Sequence, residues 1–116
     1  MERDPRAYLW DIREAAAAIE GFIGGVEFDA YVESAMMRYA VERGFEIIGE
    51  AMSQLSRLDP ALAARAGDPG PIIAFRNQLI HRYGKVDHQE VWKIAHTDLP
   101  RLRGAVAALL GELGPP

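Results

Sequence analysis

The sequence predicts an all-α fold: one domain arranged as an up-and-down bundle of four to five helices. Apolar residues recur three and four positions apart along most of the 116 residues, which is the period of a single helix face. Proline, glycine and aspartate divide these runs where helices commonly begin or end. No segment shows the apolar–polar alternation of a half-buried strand. We therefore expect a single domain over 1–116, with its core in about 5–113.

The first helix is predicted to begin at Pro5, because Asp4 can cap it and proline suits the first helical position. Gly24 and Gly25 should end it. The residues of its core face recur at the helical spacing. They are Leu9, Ile12, Ala16, Ile19 and Ile23.

A second, much longer helix is predicted from Asp29, as its cap, to Leu58. Its apolar face is wide enough for burial against more than one neighbour. That face comprises Met36, Ala40, Ile47, Ala51, Leu55 and Leu58 on one stripe, with Met37, Val41, Ile48 and Met52 beside it. Gly44 and Gly49 each cost about 1 kcal/mol relative to alanine in a helix. We therefore expect them to mark a close approach by another helix or by a second subunit.

Polar residues occupy every fourth position of this second helix. They are Arg38, Glu42, Glu46, Glu50 and Gln54. We expect Arg38 and Glu42 to lie on a solvated face. Glu46 and Glu50 stand beside apolar residues in the middle of the helix. They either belong to the same solvated face or supply carboxylates that orient Arg76 or Asn77.

Two further main helices follow a short helical segment at 61–66, which begins after Asp59 and Pro60 end the second helix. The third should open at Pro71 and end near Gly84. The fourth should begin after Asp87, which has capping-box spacing with Glu90, and Pro100 should kink or briefly break it. The predicted core faces are Ile72, Ile73, Phe75, Leu79 and Ile80 on the third helix, and Val91, Ile94, Leu102, Val106, Leu109 and Leu113 on the fourth.

Composition narrows the class of protein. The chain has no cysteine, which excludes disulfides and thiolate metal sites and fits a reducing compartment. No apolar run approaches the roughly 20 residues that span a bilayer, and the start of the chain has no signal-peptide pattern. We therefore expect a soluble, cytoplasmic domain without membrane association.

Charge is unevenly distributed along the chain, whose net charge is −4. Residues 1–70 carry 7 Lys+Arg against 13 Asp+Glu. Residues 71–103 carry 6 against 3, and they include all three histidines. This basic stretch is either a phosphate-facing surface or ordinary variation in surface charge.

The most informative segment is 76–83, which reads RNQLIHRY. Arg76 offers a planar, permanently charged donor fork that suits a phosphate. The imidazole of His81 can act as a general base or a general acid. Two symmetry-related histidines could act as base and acid in RNA cleavage without a metal ion, leaving a 2′,3′-cyclic phosphate, while arginine stabilises the charged phosphorane. Tyr83 adds a hydroxyl that can stack, donate or be modified.

Helical geometry decides how these groups can meet. Arg76 and His81 are five residues apart, about 140° around a helix. They converge only if the arginine stem wraps round, if the helix loosens near Gly84, or if two copies of the helix pair. The last arrangement favours a site shared between two chains.

Each of these residues also has a purely structural interpretation. His81 could be a helix-end histidine favoured by the helix dipole, Arg76 could pair with an acid of the second helix, and Tyr83 could belong to the core. The sequence has no ligand set of a catalytic metal site, no glycine-rich phosphate loop and no Gly-x-Ser-x-Gly elbow. We predict no metal and no cofactor.

Taken together, the motif residues resemble a known family. The pattern Arg76-Asn77-x-x-x-His81-x-Tyr83 resembles the Arg-x-x-x-x-His-x-Tyr signature of HepT-like proteins, the minimal HEPN-domain ribonuclease toxins. Residues 45–51 (FEIIGEA) resemble the family's second-helix segment, and 86–100 resemble its closing helix. The similarity spans roughly residues 7–113.

The resemblance implies a HEPN-like bundle that dimerises through its motif-bearing face, with the motif in a cleft between subunits. It implies the toxin of a type VII toxin–antitoxin module, an endoribonuclease in which Arg76 and His81 are catalytic and Asn77 supports them. A minimal nucleotidyltransferase (MNT) antitoxin would attach AMP to Tyr83 and block the cleft, and it could form a larger hetero-oligomer with the dimer. An alternative is a non-catalytic helical partner or substrate-binding subunit of a nucleotidyltransferase.

Overall fold

The computed structural model describes residues 3–81 and 85–116, and within them the chain forms six helices and no strand. The predicted all-α class is confirmed. The number of helices exceeds the predicted four to five because the second predicted helix is two helices. The six are α1 (Pro5–Ile23), α2 (Phe28–Glu33), α3 (Ala35–Leu58), α4 (Pro60–Ala66), α5 (Pro69–His81) and α6 (His88–Leu113).

Helix α1 follows its sequence signals closely. The Asp4 side chain accepts a hydrogen bond from the Arg6 backbone N–H at 2.9 Å, and Pro5 occupies the first turn. The helix ends at Ile23, and Gly25 then takes a positive φ of 74°, which favours glycine. All five residues of the predicted core face are buried.

The predicted single helix from Asp29 to Leu58 is wrong. The backbone leaves the helical conformation at Ser34, whose hydroxyl accepts a hydrogen bond from the Met37 N–H at 3.1 Å. This bond satisfies one of the free N–H groups at the start of a new helix. Helix α2 begins at Phe28, so Asp29 lies in its first turn and not at its cap.

Helix α3 is the centre of the fold. It packs against α1, α2, α4 and α5, while α6 packs against α1 and α4. The predicted stripe is wrong at Met36, which is 82% exposed, and at Ile47, which is 36% exposed. The helix instead turns Val41, Phe45, Ile48, Met52 and Leu55 into the core.

The second half of the chain agrees with most of its signals. Helix α4 confirms the short helical segment, and α5 begins two residues before Pro71. The Asp87 side chain caps α6 by accepting the N–H groups of Gln89 and Glu90. Helix α6 continues past Pro100, so the predicted break is absent. Ile80 and Leu113 are exposed and fall outside the predicted core faces, and the predicted helix end at Gly84 lies outside the described residues.

Two glycines of α3 are sites of close approach, as predicted, and the neighbours belong to the same chain. A Cβ at Gly44 would lie 2.6 Å from Cγ1 of Ile19 on α1. A Cβ at Gly49 would lie 2.6 Å from Cγ of Arg76 on α5. The two glycines therefore let α1 and α5 pack closely on α3. In the described part of the chain, no helix is both long enough and apolar enough to cross a membrane.

We expect Gly44→Ala to lower the free energy of unfolding by about 1–3 kcal/mol, the usual cost of forcing an extra group into a packed core. The new methyl would meet Ile19, which is fully buried. Gly104→Ala on α6 is the matched control, because no atom lies within 4 Å of its added Cβ. That variant should be more stable than the parent by about 0.5–1 kcal/mol. Urea denaturation measures both, and a Gly44→Ala protein as stable as the parent would contradict the packing argument.

Candidate active site

Arg76 lies where α5 packs on α3. Its side chain is 15% exposed, and its aliphatic stem fills the space left by the missing side chain of Gly49. Its Nη1 donates a hydrogen bond to Oε2 of Glu50, and its Nε donates to Oδ1 of Asn77 at 3.0 Å. A guanidinium has five N–H donors, so these two bonds fix its direction and leave the others for a further partner.

Glu50 is itself held by a second hydrogen bond. Nε2 of Gln54, one turn further along α3, donates to its Oε1 at 3.0 Å. This hydrogen bond from Gln54 and the positive charge of Arg76 lower the pKa of the Glu50 carboxyl below its usual value. The Glu50 side chain is 56% exposed, so water screens the ion pair. The main effect of this ion pair is to orient Arg76.

His81 is the last residue of α5 and is exposed. Among the described residues, no hydrogen bond joins it to Arg76 or to any other side chain. Arg76 turns toward α3, whereas His81 faces solvent at the helix end. Because Arg76 and His81 both lie within α5, their five-residue spacing separates them by about 140° around the helix.

Of the remaining predicted site residues, the structure describes Asn77 and Glu46 but not Tyr83. Asn77 is exposed and contacts Arg76 as described above. Glu46 lies half-buried one turn before Glu50, and within the described residues it makes no hydrogen bond or ion pair. Tyr83, with its neighbours at 82 and 84, lies outside the described residues.

The expectation that Arg38 and Glu42 face solvent is wrong. Glu42 is only 8% exposed and Arg38 is half-buried. Together with Tyr31 of α2 and His88 of α6 they form what we call the α3-start cluster. Nη1 of Arg38 lies 3.5 Å from Nε2 of His88. The cluster joins α2, α3 and the first turn of α6.

Burial dominates the chemistry of the α3-start cluster. It raises the pKa of Tyr31 to about 12, with the nearby Glu42 charge adding to the effect. Burial also raises the pKa of Glu42. The Tyr31 hydroxyl, Nε of Arg38 and Nδ1 of His88 have no hydrogen-bond partner within residues 3–81 and 85–116. The four-residue spacing of Arg38 and Glu42 indicates that they are neighbours, but no sequence signal indicates that α2 and α6 cover them.

Two cavities flank α3. One, of about 520 Å³, lies between α3, α5 and α6; its lining is mainly apolar and includes neither Arg76 nor His81. The other, of about 450 Å³, lies between α1 and α3 and is lined in part by Glu50. The second cavity therefore adjoins the Arg76 site, and the first does not. In the described ranges, no group of three or more His, Asp and Glu side chains is placed to hold a metal ion.

Comparison with known proteins gives consistent matches over most of the chain. A family model described as "Ribonuclease HepT-like" matches residues 12–109. The chain is similar to "Probable ribonuclease HepT" of Thermococcus cleftensis, with 35% identity over 108 residues, 90% of this chain and 94% of that protein. It is also similar to "Putative RNase MJ1380" of Methanocaldococcus jannaschii, with 33% identity over 109 residues, 90% of this chain and 95% of that protein. No solved structure matches the chain significantly.

We expect the pKa of Glu50 to lie below its usual value in the parent protein and to rise in Gln54→Ala, because that change removes the hydrogen bond with the largest effect. Gln78→Ala, at an exposed glutamine of α5, is the matched control and should leave it unchanged. Carboxyl-detected NMR titration measures the shift.

The sign of the linkage follows from the lowered pKa. The small stabilisation from Glu50 is present above the pKa of the unfolded state and is lost as pH falls through the lower pKa of the folded state. A parent Glu50 that titrates at or above its usual value would contradict the observed contacts.

Proposed function

Because the chain belongs to the HepT-like ribonuclease family, we propose that it is a metal-independent endoribonuclease and the toxin of a type VII (HEPN/MNT) toxin–antitoxin module. The observation that carries the proposal is the position of Arg76, whose guanidinium is held where α5 packs on α3 by Glu50 and Asn77. An arginine fixed in advance can stabilise the charge that develops on a reacting phosphate without reorganising.

The proposed reaction is cleavage of RNA by its own 2′-hydroxyl. His81 takes the proton from the 2′-OH, and the 2′-oxygen attacks phosphorus. The bond between phosphorus and the 5′-oxygen breaks, and a second histidine gives a proton to that oxygen. Arg76 binds the non-bridging oxygens with the donors that Glu50 and Asn77 leave available. The products are a 2′,3′-cyclic phosphate and a 5′-hydroxyl.

The reaction needs the motif residues of two chains. Arg76 is turned toward α3, while His81 faces solvent at the end of α5. A homodimer through the motif-bearing face would place both groups, and a second His81, around one cleft. The separation of the two positions by about 140° around α5 supports this arrangement.

Glu50 and Asn77 are proposed as supporting residues that aim Arg76. Their contacts with its Nη1 and Nε support these roles. Glu46 remains a predicted supporting residue one turn away. Since Glu50 keeps its charge to lower pH than an ordinary glutamate, the ion pair that holds Arg76 should persist through the neutral range in which histidine transfers protons.

Tyr83 is proposed as the site of control. In the proposed modification, which the antitoxin nucleotidyltransferase catalyses, the Tyr83 oxygen attacks the α-phosphorus of ATP. Pyrophosphate leaves, and the tyrosine hydroxyl loses its proton. The product carries AMP two residues after His81. A bulky anionic group at that position would block the cleft and repel RNA.

The first test is cleavage of single-stranded RNA in the presence of EDTA. We expect the parent protein to cleave, and Arg76→Ala or His81→Ala to lose roughly 100-fold or more of the rate, as is usual for an electrostatic or acid–base group. His96→Ala, at an exposed histidine of α6, is the matched control and should retain activity. End-group analysis should detect the cyclic phosphate.

Two outcomes would count against this proposal. Equal cleavage by the Arg76→Ala, His81→Ala double variant would mean that another site or a contaminant acts. Sedimentation that shows only monomer at micromolar concentration would remove the shared cleft.

The second test concerns Tyr83. Incubation with the MNT antitoxin and ATP should add the mass of AMP to the parent protein and not to Tyr83→Phe. Tyr39→Phe is the matched control, because Tyr39 is 66% exposed on α3 and should not affect the modification. Modification of Tyr83→Phe at the parent level would refute this assignment. A protein that is modified at Tyr83 but never cleaves RNA would favour the non-catalytic partner instead.

A further inference from the structure

The cavity of about 450 Å³ between α1 and α3 adjoins the Arg76 site, because Glu50 lines it and also binds Arg76. Its volume falls in the range of small-ligand sites, about 300–1,000 Å³. Arg43 lines the same cavity two turns before Glu50. Seven residues correspond to about 10 Å along a helix and nearly the same face. One short ligand could therefore reach both Arg43 and the Arg76 site.

Among the described residues, one cation that lines the cavity has no counter-ion. Nη1 of Arg3 lies 2.9 Å from Oδ2 of Asp11, so these two charges compensate each other. Glu50 is paired with Arg76. In the described part of the chain, Arg43 forms no ion pair and is exposed. The cavity thus presents a positive charge in an otherwise acidic half of the chain.

The walls of the cavity offer flat surfaces beside that charge. The guanidinium of Arg3 lies over the ring of Tyr8, 4.6 Å from its centroid. Ile47 is 36% exposed and lines the cavity from α3. Single-stranded RNA is commonly bound by stacking its bases on aromatic rings or guanidinium planes, while nearby arginines hold its phosphates. The cavity combines both kinds of group.

We propose that this cavity is a nucleotide subsite for single-stranded RNA, in which Arg43 binds the phosphate next to the one that is cleaved. The inference rests on the proposed ribonuclease function and adds to it a binding residue outside the motif. It also explains how RNA approaches a chain whose first 70 residues are acidic: the contact is one local cation in the cavity that adjoins the Arg76 site, and a broadly basic surface is not required.

The test measures binding of a single-stranded 2′-O-methyl oligoribonucleotide, which lacks the attacking hydroxyl, by fluorescence anisotropy. Arg43→Ala should weaken binding roughly tenfold, the effect expected for loss of a charged hydrogen bond. Arg43→Lys should recover only part of this loss, because lysine keeps the charge without the planar fork. The slope of log affinity against log salt should fall by about 0.7 in Arg43→Ala, as for one phosphate contact of a single strand.

Arg65→Ala is the matched control. Arg65 is an exposed arginine of α4 that pairs with Glu112, so its removal changes the net charge equally without touching the cavity. Its affinity for the oligoribonucleotide should change by less than about twofold. Circular dichroism of each variant confirms that the helices are intact.

The outcomes separate this inference from the function on which it rests. If Arg43→Ala binds like Arg65→Ala while the parent protein cleaves RNA, the subsite is wrong and the proposed function stands. If the parent protein neither binds nor cleaves RNA, both fail. If Arg43→Ala dissociates a dimer without changing RNA affinity, the cavity is a protein contact, and the subsite is again wrong.

Discussion

The stem of Arg76 occupies the space where residue 49 has no side chain, and this contact positions the two helices on which the site depends. Helix α5 makes its main packing contact with α3, and any side chain at Gly49 would displace Arg76 from it. With the stem fixed, the guanidinium reaches Glu50 on one side and Asn77 on the other. The absence of a side chain at Gly49 thus determines where the Arg76 guanidinium lies.

Helix α3 contacts both α5 and the first turn of α6. Near its middle, it contacts α5 through Glu50 and Arg76. Near its start, Arg38 approaches His88 in the first turn of α6. Helix α3 therefore contacts both the helix that ends at His81 and the helix that begins at His88.

Local signals predicted much of this fold. The Asp4 and Asp87 caps, the core face of α1 and the all-α class follow from residues close together in sequence, and the match over residues 12–109 confirms the family that the motif at 76–83 resembles. Contacts between distant residues were less accessible. The periodicity of α3 does not show that Glu42 is buried or that Arg38 approaches His88 of α6, and a single serine hydroxyl at Ser34 divides a helix that apolar spacing makes continuous.

The sequence predicted the candidate site about as far as it predicted the fold. A five-residue spacing is enough to separate Arg76 from His81 around a helix, but only the packing of α5 on α3 selects Glu50 as the carboxylate that binds Arg76.

Among the described residues of α5, only Leu79 is almost fully buried, and an apolar cavity lies between α5 and α6. Local opening of α5 should therefore need less free energy than global unfolding, with faster amide hydrogen exchange there than in α1 or α3. The guanidinium would leave its place before the bundle loses its shape.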